Sequence, residues 1–452
     1  MSILIVLFWC VLVLALLDSK LLVREAMLAS VTAIGVALLA ITEGLSAFGG
    51  LTSMWLVVTW LAAVTVAGAL FRERVRAGLQ RLRVETPTLA RAVPPMPAVI
   101  VTAFASGTLI AGLIYPPYNW DSLTYHLPRI HFWLQNGSVA HFPTAEARQL
   151  FSSPLANYVV LHLQALSGGG DRLINLGQWV AYLVSAVAVS LIARRLGAAA
   201  NGQWLAAIVA ISVPMAALQA ATTQNDLFTA AWCLIAVYAI VVIDRDREGH
   251  ASAAPLAWYI WAAAAAGLAL QSKPTALLAL APFGLWFIGT VVLRTGWRRG
   301  TSVLALMVVC VVAVNSAWYV RNAATLDGDF LGLQAPGNDH ILTAARTPAG
   351  LAVNGLMNAS MLLGTPSAWV NDRTRALVER TAAGLGVTEL DSVMGEPLYG
   401  PYRVKREIWS HDVAPALLTV ALFVLSAVVL LGKGSRPKAL YLAYPAATIA
   451  GF

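Results

Sequence analysis

A single carboxylate lies among aromatic and basic side chains in the stretch YPPYNWDSLTYHLPRIHFWLQNG, residues 115–137. Asp121 follows an apolar segment and is flanked by Trp120 and Tyr125. A carboxylate in this setting can act as a general base, a role that contributes about 10²–10⁴-fold to a reaction rate. The alternative role for Asp121 is an N-terminal helix cap, for which Asp is a preferred residue.

The spacing of the apolar residues predicts a helix over 121–134 with two unlike faces. The apolar face carries residues at spacings of four, three and four: Leu123, Leu127, Ile130 and Leu134. The polar face carries Asp121, Ser122, Tyr125, His126 and Arg129. Pro128 predicts a kinked or divided helix. We expect this helix to lie on a membrane surface with its polar face towards a cavity.

The two histidines of this stretch do not form a metal pair by their spacing. His126 and His131 are five residues apart, which separates them by about 140° around a helix. Hydrogen bonding at the membrane interface is the alternative role for each. Arg129 has a non-catalytic alternative, in which it extends its charged end to the interface or pairs with a lipid phosphate.

Three other sites place polar groups where apolar segments end. Asn225 and Asp226 lie between two such segments, Lys273 lies between the next two, and Arg321 ends the segment after that. Each has a structural alternative, because Asp226 could cap its helix and the two cations could anchor helix ends at the interface. Their common position at one membrane face favours a shared site.

The composition indicates an integral membrane protein. Of 452 residues, 59% are hydrophobic and only 12% are charged, with a mean hydropathy of +0.72, whereas soluble domains carry about 25% charged residues. The net charge of +8 does not indicate nucleic-acid binding, because the basic residues lie in short stretches between apolar segments. The three cysteines lie inside apolar segments and are expected to pack there: Cys10, Cys233 and Cys310.

About twelve segments are long and apolar enough to predict membrane-spanning helices. They are 2–17, 26–45, 51–70, 97–114, 173–193, 203–221, 226–243, 254–271, 274–293, 301–320, 413–432 and 439–452. The first lacks the basic start and small-residue cleavage site of a signal peptide, so we interpret it as a spanning helix. The fold class is therefore an all-α polytopic membrane protein.

Basic residues predict the orientation of these helices. Most Lys and Arg residues lie in alternate short loops, which the positive-inside rule assigns to the cytoplasm. The two long segments between spans, 115–172 and 321–412, then face the extracytoplasmic side, and we expect amphipathic helices in them. No ionisable residue interrupts the middle of any span, which argues against a transmembrane path for ions.

Four pieces of the sequence resemble the GT-C glycosyltransferases, which take sugars from polyprenyl-phosphate carriers. The pieces are NWDSLTYHLPRIHFWLQNGSVAHFPT, the Asn225-Asp226 turn, SKPTALL and AWYVRN, between residues 97 and 325. Protein O-mannosyltransferases and the lipid A aminoarabinose transferase are relatives of this kind. The chain departs from the pattern in having three spans ahead of that module, and a single Asp121 where some relatives carry paired acids.

The resemblance implies a role for each candidate residue. Asp121 is the implied general base and Asp226 a second acid that orients an acceptor, a metal or a basic partner. Lys273, Arg321 and Arg129 are implied donor-phosphate ligands. The implied sugar or acceptor contacts are Tyr125, His126 and Asn225. A divalent cation, Mg²⁺ or Mn²⁺, is left open, with Asp121 and Asp226 as its ligands if it binds.

The resemblance also implies four parts of the chain. These are extra spans with a basic cytoplasmic loop in 1–95, a catalytic module in 96–320, an outer loop capping the site in 321–412, and C-terminal spans in 413–452. The implied activity is inverting transfer of a sugar from a polyprenyl-phosphate donor to a glycan, lipid or protein acceptor, on the outer face of a bacterial cytoplasmic membrane. A lipid-linked glycan flippase and a non-catalytic envelope scaffold are the alternatives. Nucleic acid is not an expected partner.

Overall fold

The computed structural model describes residues 1–18, 21–245, 255–332, 347–362 and 367–387. Every regular element in these ranges is helical, as the sequence predicts. The first five helices are α1 (Ile3–Leu17), α2 (Val23–Ala47), α3 (Ser53–Leu70), α4 (Arg72–Arg91) and α5 (Pro95–Ile114).

The helices after α5 differ widely in length. A π-helical turn at Ser122–His126 precedes α6 (Leu127–Asn136), α7 (Arg148–Phe151), α8 (Leu155–Leu166), α9 (Leu176–Arg195), α10 (Ala200–Ser212) and α11 (Pro214–Gln219). The remaining described helices are α12 (Asp226–Arg245), α13 (Leu256–Ser272), α14 (Ala276–Thr295), α15 (Trp297–Thr325), α16 (Pro348–Leu362) and α17 (Ala368–Gly384).

Within the described ranges, six helices are long and apolar enough to cross a membrane: α2, α3, α5, α9, α12 and α15. Four shorter apolar helices accompany them: α1, α8, α13 and the first part of α14. The predicted spans 413–432 and 439–452 lie outside the described residues, so the count of about twelve stays a prediction. The predicted span 203–221 is divided into α10 and α11, because Pro214 has no N–H to continue the helical hydrogen bonds.

The segment 115–172, expected as an outer loop, contains a buried helix. Ten of the twelve residues of α8 are buried, and α8 packs beside α2, α3, α6 and α9. Its twelve residues are too few to span a membrane, so the apolar pattern predicted no helix there. The segment 115–172 is therefore anchored in the bundle through α8.

Contacts divide the chain into two compact units. The first comprises Met1–Ser212 and Ala216–Leu331, and the second comprises Val213–Met215 and Gly332–Phe452. In the second, α16 and α17 pack through Val353, Met357, Val378 and Ala382. The part of the predicted cap after residue 387 lies outside the described residues, and the four-part division proposed from the sequence stays a prediction.

Helix α2 carries a polar network near each of its ends. Near its start the buried Glu25 accepts hydrogen bonds from Nη2 of Arg195, at 3.1 Å, and from the Tyr238 hydroxyl. Near its other end Glu43 pairs with Arg321. The two glutamates are eighteen residues apart, about 27 Å along the helix, which is close to the roughly 30 Å thickness of a bilayer core. This spacing suits a helix whose charged groups meet at the two membrane faces.

A glycine joins the outer segment to the N-terminal helices. Gly137 ends α6 with φ of +63°, a conformation that residues with a Cβ rarely adopt. Its carbonyl oxygen accepts from the Leu51 N–H at 2.9 Å, and Val139 N–H donates to Ser46 Oγ at 2.9 Å. A Cβ on Gly137 would lie 2.5 Å from the Gly49 carbonyl oxygen. The contact requires glycine at position 137 for two reasons, the positive φ and the close approach of the Gly49 carbonyl oxygen.

Gly137→Ala is therefore expected to destabilise the protein more than Gly168→Ala. Both glycines have positive φ, but a Cβ on Gly168 has no neighbour within 4 Å. The left-handed conformation costs alanine about 1–2 kcal/mol at either site, and the clash at Gly137 adds about 1–3 kcal/mol. Unfolding of detergent-solubilised protein measures both. Equal losses would show that the α6 junction does not require the close approach.

Candidate active site

The polar stretch after α5 forms a π-helical turn followed by α6. Asn119 precedes the turn, and its Oδ1 accepts from the Ser122 N–H at 3.0 Å. Asp121 makes no side-chain capping hydrogen bond. Asp121 is therefore not the helix cap. Asn119 caps this turn, which leaves the Asp121 carboxylate available. Pro128 lies in the first turn of α6, where a missing N–H is tolerated.

The polar face of this stretch points into the protein, as its pattern predicts. Ser122, His126 and Arg129 are buried, while Leu123 is 54% exposed. The apolar face differs from the expectation, because Ile130 is fully buried and Leu127 and Leu134 also pack against the core. Contact of this face with a membrane surface stays a prediction.

Asp121 lies beside a cation that the sequence analysis did not identify. Arg148, at the start of α7, places Nη1 3.6 Å from the Asp121 carboxylate and its guanidinium 4.9 Å from the centre of the Tyr125 ring. Arg148 is also held by Glu146 at 2.8 Å. Burial raises the pKa of the Asp121 carboxyl, and the charges of Arg148 and Lys273 oppose this shift. Asp121 is thus a stronger base than an exposed aspartate, while nearby cations favour its ionised form.

Asp226 and Lys273 form an ion pair close to Asp121. Lys273 Nζ lies 2.6 Å from Asp226 Oδ1, joining the start of α12 to the end of α13. Both charges contribute to the pKa of Asp121. The adjoining turn is held by Asn225, whose Nδ2 donates to the Ser272 carbonyl at 3.0 Å. The structure therefore brings together Asp121, Asp226 and Lys273, which lie far apart in the sequence.

The same turn is bonded directly to the π-helical turn. The Thr223 hydroxyl donates to Ser122 Oγ at 2.6 Å, and both side chains are buried. Ser122 is next to Asp121 in the chain. This bond fixes the segment that carries Asp226 against the segment that carries Asp121.

His126 is a buried, neutral imidazole with one nitrogen unused. Asn157 Nδ2 donates to the His126 carbonyl at 3.0 Å, which leaves Asn157 Oδ1 to accept from His126 Nδ1 at 3.2 Å. Nε2 of His126 then carries the lone pair and has no hydrogen-bond partner. Burial lowers the pKa of His126 to about 4. The ring can therefore accept a hydrogen bond from a hydroxyl group.

Arg129 is fully buried with most of its donors unused. Its Nη2 donates to the Leu150 carbonyl at 3.1 Å, while Nε and Nη1 have no hydrogen-bond partner. The guanidinium lies 4.3 Å from the centre of the Trp133 ring. Burial lowers the pKa of Arg129 to about 9. An arginine with two unpartnered nitrogens, which together carry three N–H groups, is costly in the interior unless a ligand supplies acceptors.

Arg321 is held by two residues that the sequence analysis missed. Its Nη1 and Nη2 donate to the two carboxylate oxygens of Glu43, at 2.6 and 2.9 Å. Nη2 also donates to the Tyr158 hydroxyl at 2.8 Å, and that hydroxyl donates to Glu43 at 2.6 Å. A signal for Glu43 was present, since it is a carboxylate inside the apolar run 26–45. Tyr158 and Arg148 have no comparable signal.

The divalent cation that the resemblance left open stays a prediction. Across the described ranges, no three histidine, cysteine or carboxylate side chains lie close enough to bind one metal ion. Asp121 and Asp226 already face Arg148 and Lys273 respectively. Because this donor set does not fit a divalent-cation site, we derive no step through a metal.

Comparison with known proteins identifies one family. Residues 152–318 match the dolichyl-phosphate-mannose-protein mannosyltransferase family. The match confirms the resemblance to GT-C membrane glycosyltransferases over α8 to most of α15. It begins after the turn that carries Asp121 and ends just before Arg321. The search of curated proteins and the search of solved structures gave no match.

The Lys273–Asp226 and Arg321–Glu43 ion pairs are expected to differ in their effect on stability. The Lys273–Asp226 side chains are 35% and 40% exposed, and those of Arg321 and Glu43 are 18% exposed. Lys273→Met should therefore lower the free energy of unfolding by less than about 1 kcal/mol. Arg321→Met, which leaves Glu43 unpaired, should lower it by about 3 kcal/mol or more. Denaturant unfolding in detergent compares them, and equal losses would contradict this difference.

Proposed function

We propose that this protein is an inverting glycosyltransferase that moves a sugar from a polyprenyl-phosphate donor to an acceptor hydroxyl. The observation that carries the proposal is the position of Asp121. Its carboxylate makes no helix-capping hydrogen bond, has a raised pKa, and lies beside Arg148 and the Asp226–Lys273 pair. The family match covers Asp226 and Lys273 and begins after Asp121 and Arg148, and the apolar helices provide a setting for a lipid-linked donor.

Asp121 is the general base in this proposal. The acceptor oxygen attacks the anomeric carbon from the face opposite the phosphate, and its proton passes to the Asp121 carboxylate. The bond between the anomeric carbon and the phosphate oxygen breaks, and its electron pair stays on the phosphate. The products are an inverted glycoside and a polyprenyl phosphate. Asp226 orients the Lys273 side chain, and the charge of Lys273 then contributes to the electric field at Asp121.

Arg129 is the best-supported phosphate ligand among the three predicted cations. Lys273 and Arg321 each hold a carboxylate, whereas Arg129 has two unused donors. A guanidinium binds two phosphate oxygens in a planar fork and stabilises the charge that grows as the leaving group departs. Roles for Lys273 and Arg321 at the phosphate stay predictions.

The sugar and acceptor contacts are assigned from hydrogen-bonding capacity. The lone pair of His126 Nε2 can accept from a hydroxyl, and the Tyr125 ring lies 4.1 Å from the His126 ring. Asn225 holds the turn that carries Asp226, and its predicted contact with the sugar or acceptor stays a prediction.

The proposed location is the cytoplasmic membrane, with the site on the extracytoplasmic face. The distribution of basic residues in short loops supports this orientation. Glu43, Asp121, Asp226 and Lys273 each lie near a helix end on that predicted side. The acceptor is a glycan, lipid or protein hydroxyl.

Asp121→Asn is expected to lower sugar transfer by about 10²–10⁴-fold, because the amide cannot accept the acceptor proton. The assay follows label from polyprenyl-phosphate sugars into acceptors, together with release of polyprenyl phosphate. Asp171→Asn is the matched control, since Asp171 is exposed in the same outer segment. Wild-type rates in Asp121→Asn would contradict the assignment of the base. A wild-type protein that moves the donor across the membrane without cleaving it would favour a flippase.

The pH dependence of transfer should report the ionisation of Asp121. Only the deprotonated carboxylate accepts a proton, so kcat/KM should rise with pH through the pKa of Asp121, which burial raises above its ordinary value. Arg148 lowers that pKa, so Arg148→Gln should move the acid limb of the profile to higher pH. Arg172→Gln, an exposed arginine of the same segment, should leave it in place. A shift to lower pH in Arg148→Gln would exclude Asp121 as the titrating group.

A further inference from the structure

The N-terminal helices contribute a residue next to the proposed phosphate site. Helix α2 precedes both the turn that carries Asp121 and the range matched by the family model. Glu43 near its end nevertheless makes a bidentate ion pair with Arg321, 278 positions further along the chain. The extra spans are thus packed into the same compact unit as the proposed catalytic groups.

The pair is well fixed in geometry. Four hydrogen bonds of 2.6–2.9 Å connect the Glu43 carboxylate, the Arg321 guanidinium and the Tyr158 hydroxyl. The Glu43 and Arg321 side chains are 18% exposed and Tyr158 is fully buried. An arrangement with this many bonds holds one orientation of the guanidinium and cancels its charge.

A short chain of contacts links this pair to Arg129. The Tyr158 ring lies 5.4 Å from the Trp133 ring, and the Arg129 guanidinium lies over that ring at 4.3 Å. The charge of Arg321 lowers the pKa of Arg129, and the charge of Glu43 raises it. The charges of Arg129 and Arg321 also both lower the pKa of His141. Arg321 is therefore an electrostatic neighbour of the proposed phosphate ligand.

The charge near Arg129 matters because the phosphate changes charge in the reaction. A sugar-linked phosphodiester carries one negative charge, whereas the phosphate monoester product carries about −1.5 to −2 at neutral pH. A second unpaired arginine beside Arg129 would favour the product more than the donor, since attraction scales with the product of the charges. Release of the product would then become slow.

We propose that Glu43 is a positioning residue of the phosphate site, which holds Arg321 against Tyr158 and cancels its charge. The phosphate then interacts with the charge of Arg129 and not with the summed charge of two arginines. This inference rests on the proposed function for the identity of the ligand. In this arrangement α2 sets the affinity of the site for the phosphate monoester and so the ease of product release.

Binding of farnesyl phosphate, a short polyprenyl monophosphate, tests the inference. The full chain is purified in detergent, and calorimetry gives Kd for wild type, Glu43→Gln, Arg321→Gln and the double variant, with farnesol as the uncharged control ligand. Glu43→Gln should bind farnesyl phosphate roughly tenfold more tightly, because it frees the charge of Arg321. Arg321→Gln should bind it roughly tenfold more weakly, because it frees the charge of Glu43. The double variant should lie close to wild type, and farnesol should bind all four alike.

A structural role for Glu43 would give a different result. Weaker binding in all three variants, or equal binding in all four proteins, would overturn the proposal. If a single variant does not fold, the double variant still decides, since neither charge is left unpaired in it. A tenfold loss in the double variant would mean that Arg321 itself binds the phosphate, which also overturns the proposal.

The transfer assay with Asp121→Asn separates this inference from the proposed function. If the Kd values follow the expected order but wild type transfers no sugar from polyprenyl-phosphate donors, the proposed function fails and the charge arrangement stands. If Asp121→Asn abolishes transfer but the Kd order is not found, only the role of Glu43 fails.

Discussion

Ionised side chains between apolar helices need partners of opposite charge, because no bulk water solvates them there. This requirement explains which helices of the first unit lie together. Glu25 connects α2 to α9 and α12, and Glu43 connects the other end of α2 to α8 and α15. Hydrophobic contacts alone are tolerant of sliding and rotation. The two glutamates fix the position of α2 along its axis, and the outer segment is then bonded to that position through Gly137.

The sequence predicted a convergence of Asp121, Asp226, Lys273 and Arg321. The structure brings the first three together, whereas Arg321 pairs with Glu43. Each of the four lies where an apolar run ends, and the predicted alternation of the helices assigns those ends to one membrane face. Helical spacing also predicted the inward face of Ser122, His126 and Arg129 and a division of the helix near Pro128. These conclusions need only helix geometry and the length of each span, and they do not depend on how the helices pack.

The partners of these residues could not be found in the same way. Arg148 begins the four-residue helix α7, which is too short to show a periodic pattern, so nothing in the sequence relates it to Asp121. Tyr158 belongs to α8, whose twelve residues are too few to be identified as a membrane span. Its apolar composition alone does not distinguish this helix from a buried loop. Glu43 is visible as a carboxylate in an apolar run, but its partner is chosen by packing between distant helices. The capping of the π-helical turn by Asn119 can be recognised only from the three-dimensional structure of the turn.

The arrangement of charge divides the proposed site into two halves. Around Asp121, the positive charges of Arg148 and Lys273 are matched by the negative charges of Asp226 and Glu146. Around Arg129, Arg321 is balanced by Glu43, and the Arg129 charge is left over. The charges of Asp121 and Arg129 both affect the pKa of Tyr125. Inverting transfer moves electrons from an acceptor oxygen to a phosphate oxygen on the opposite side of the sugar. A balanced base on one side and an excess positive charge on the other favour movement in that direction, because the field stabilises the charge only where the leaving group forms.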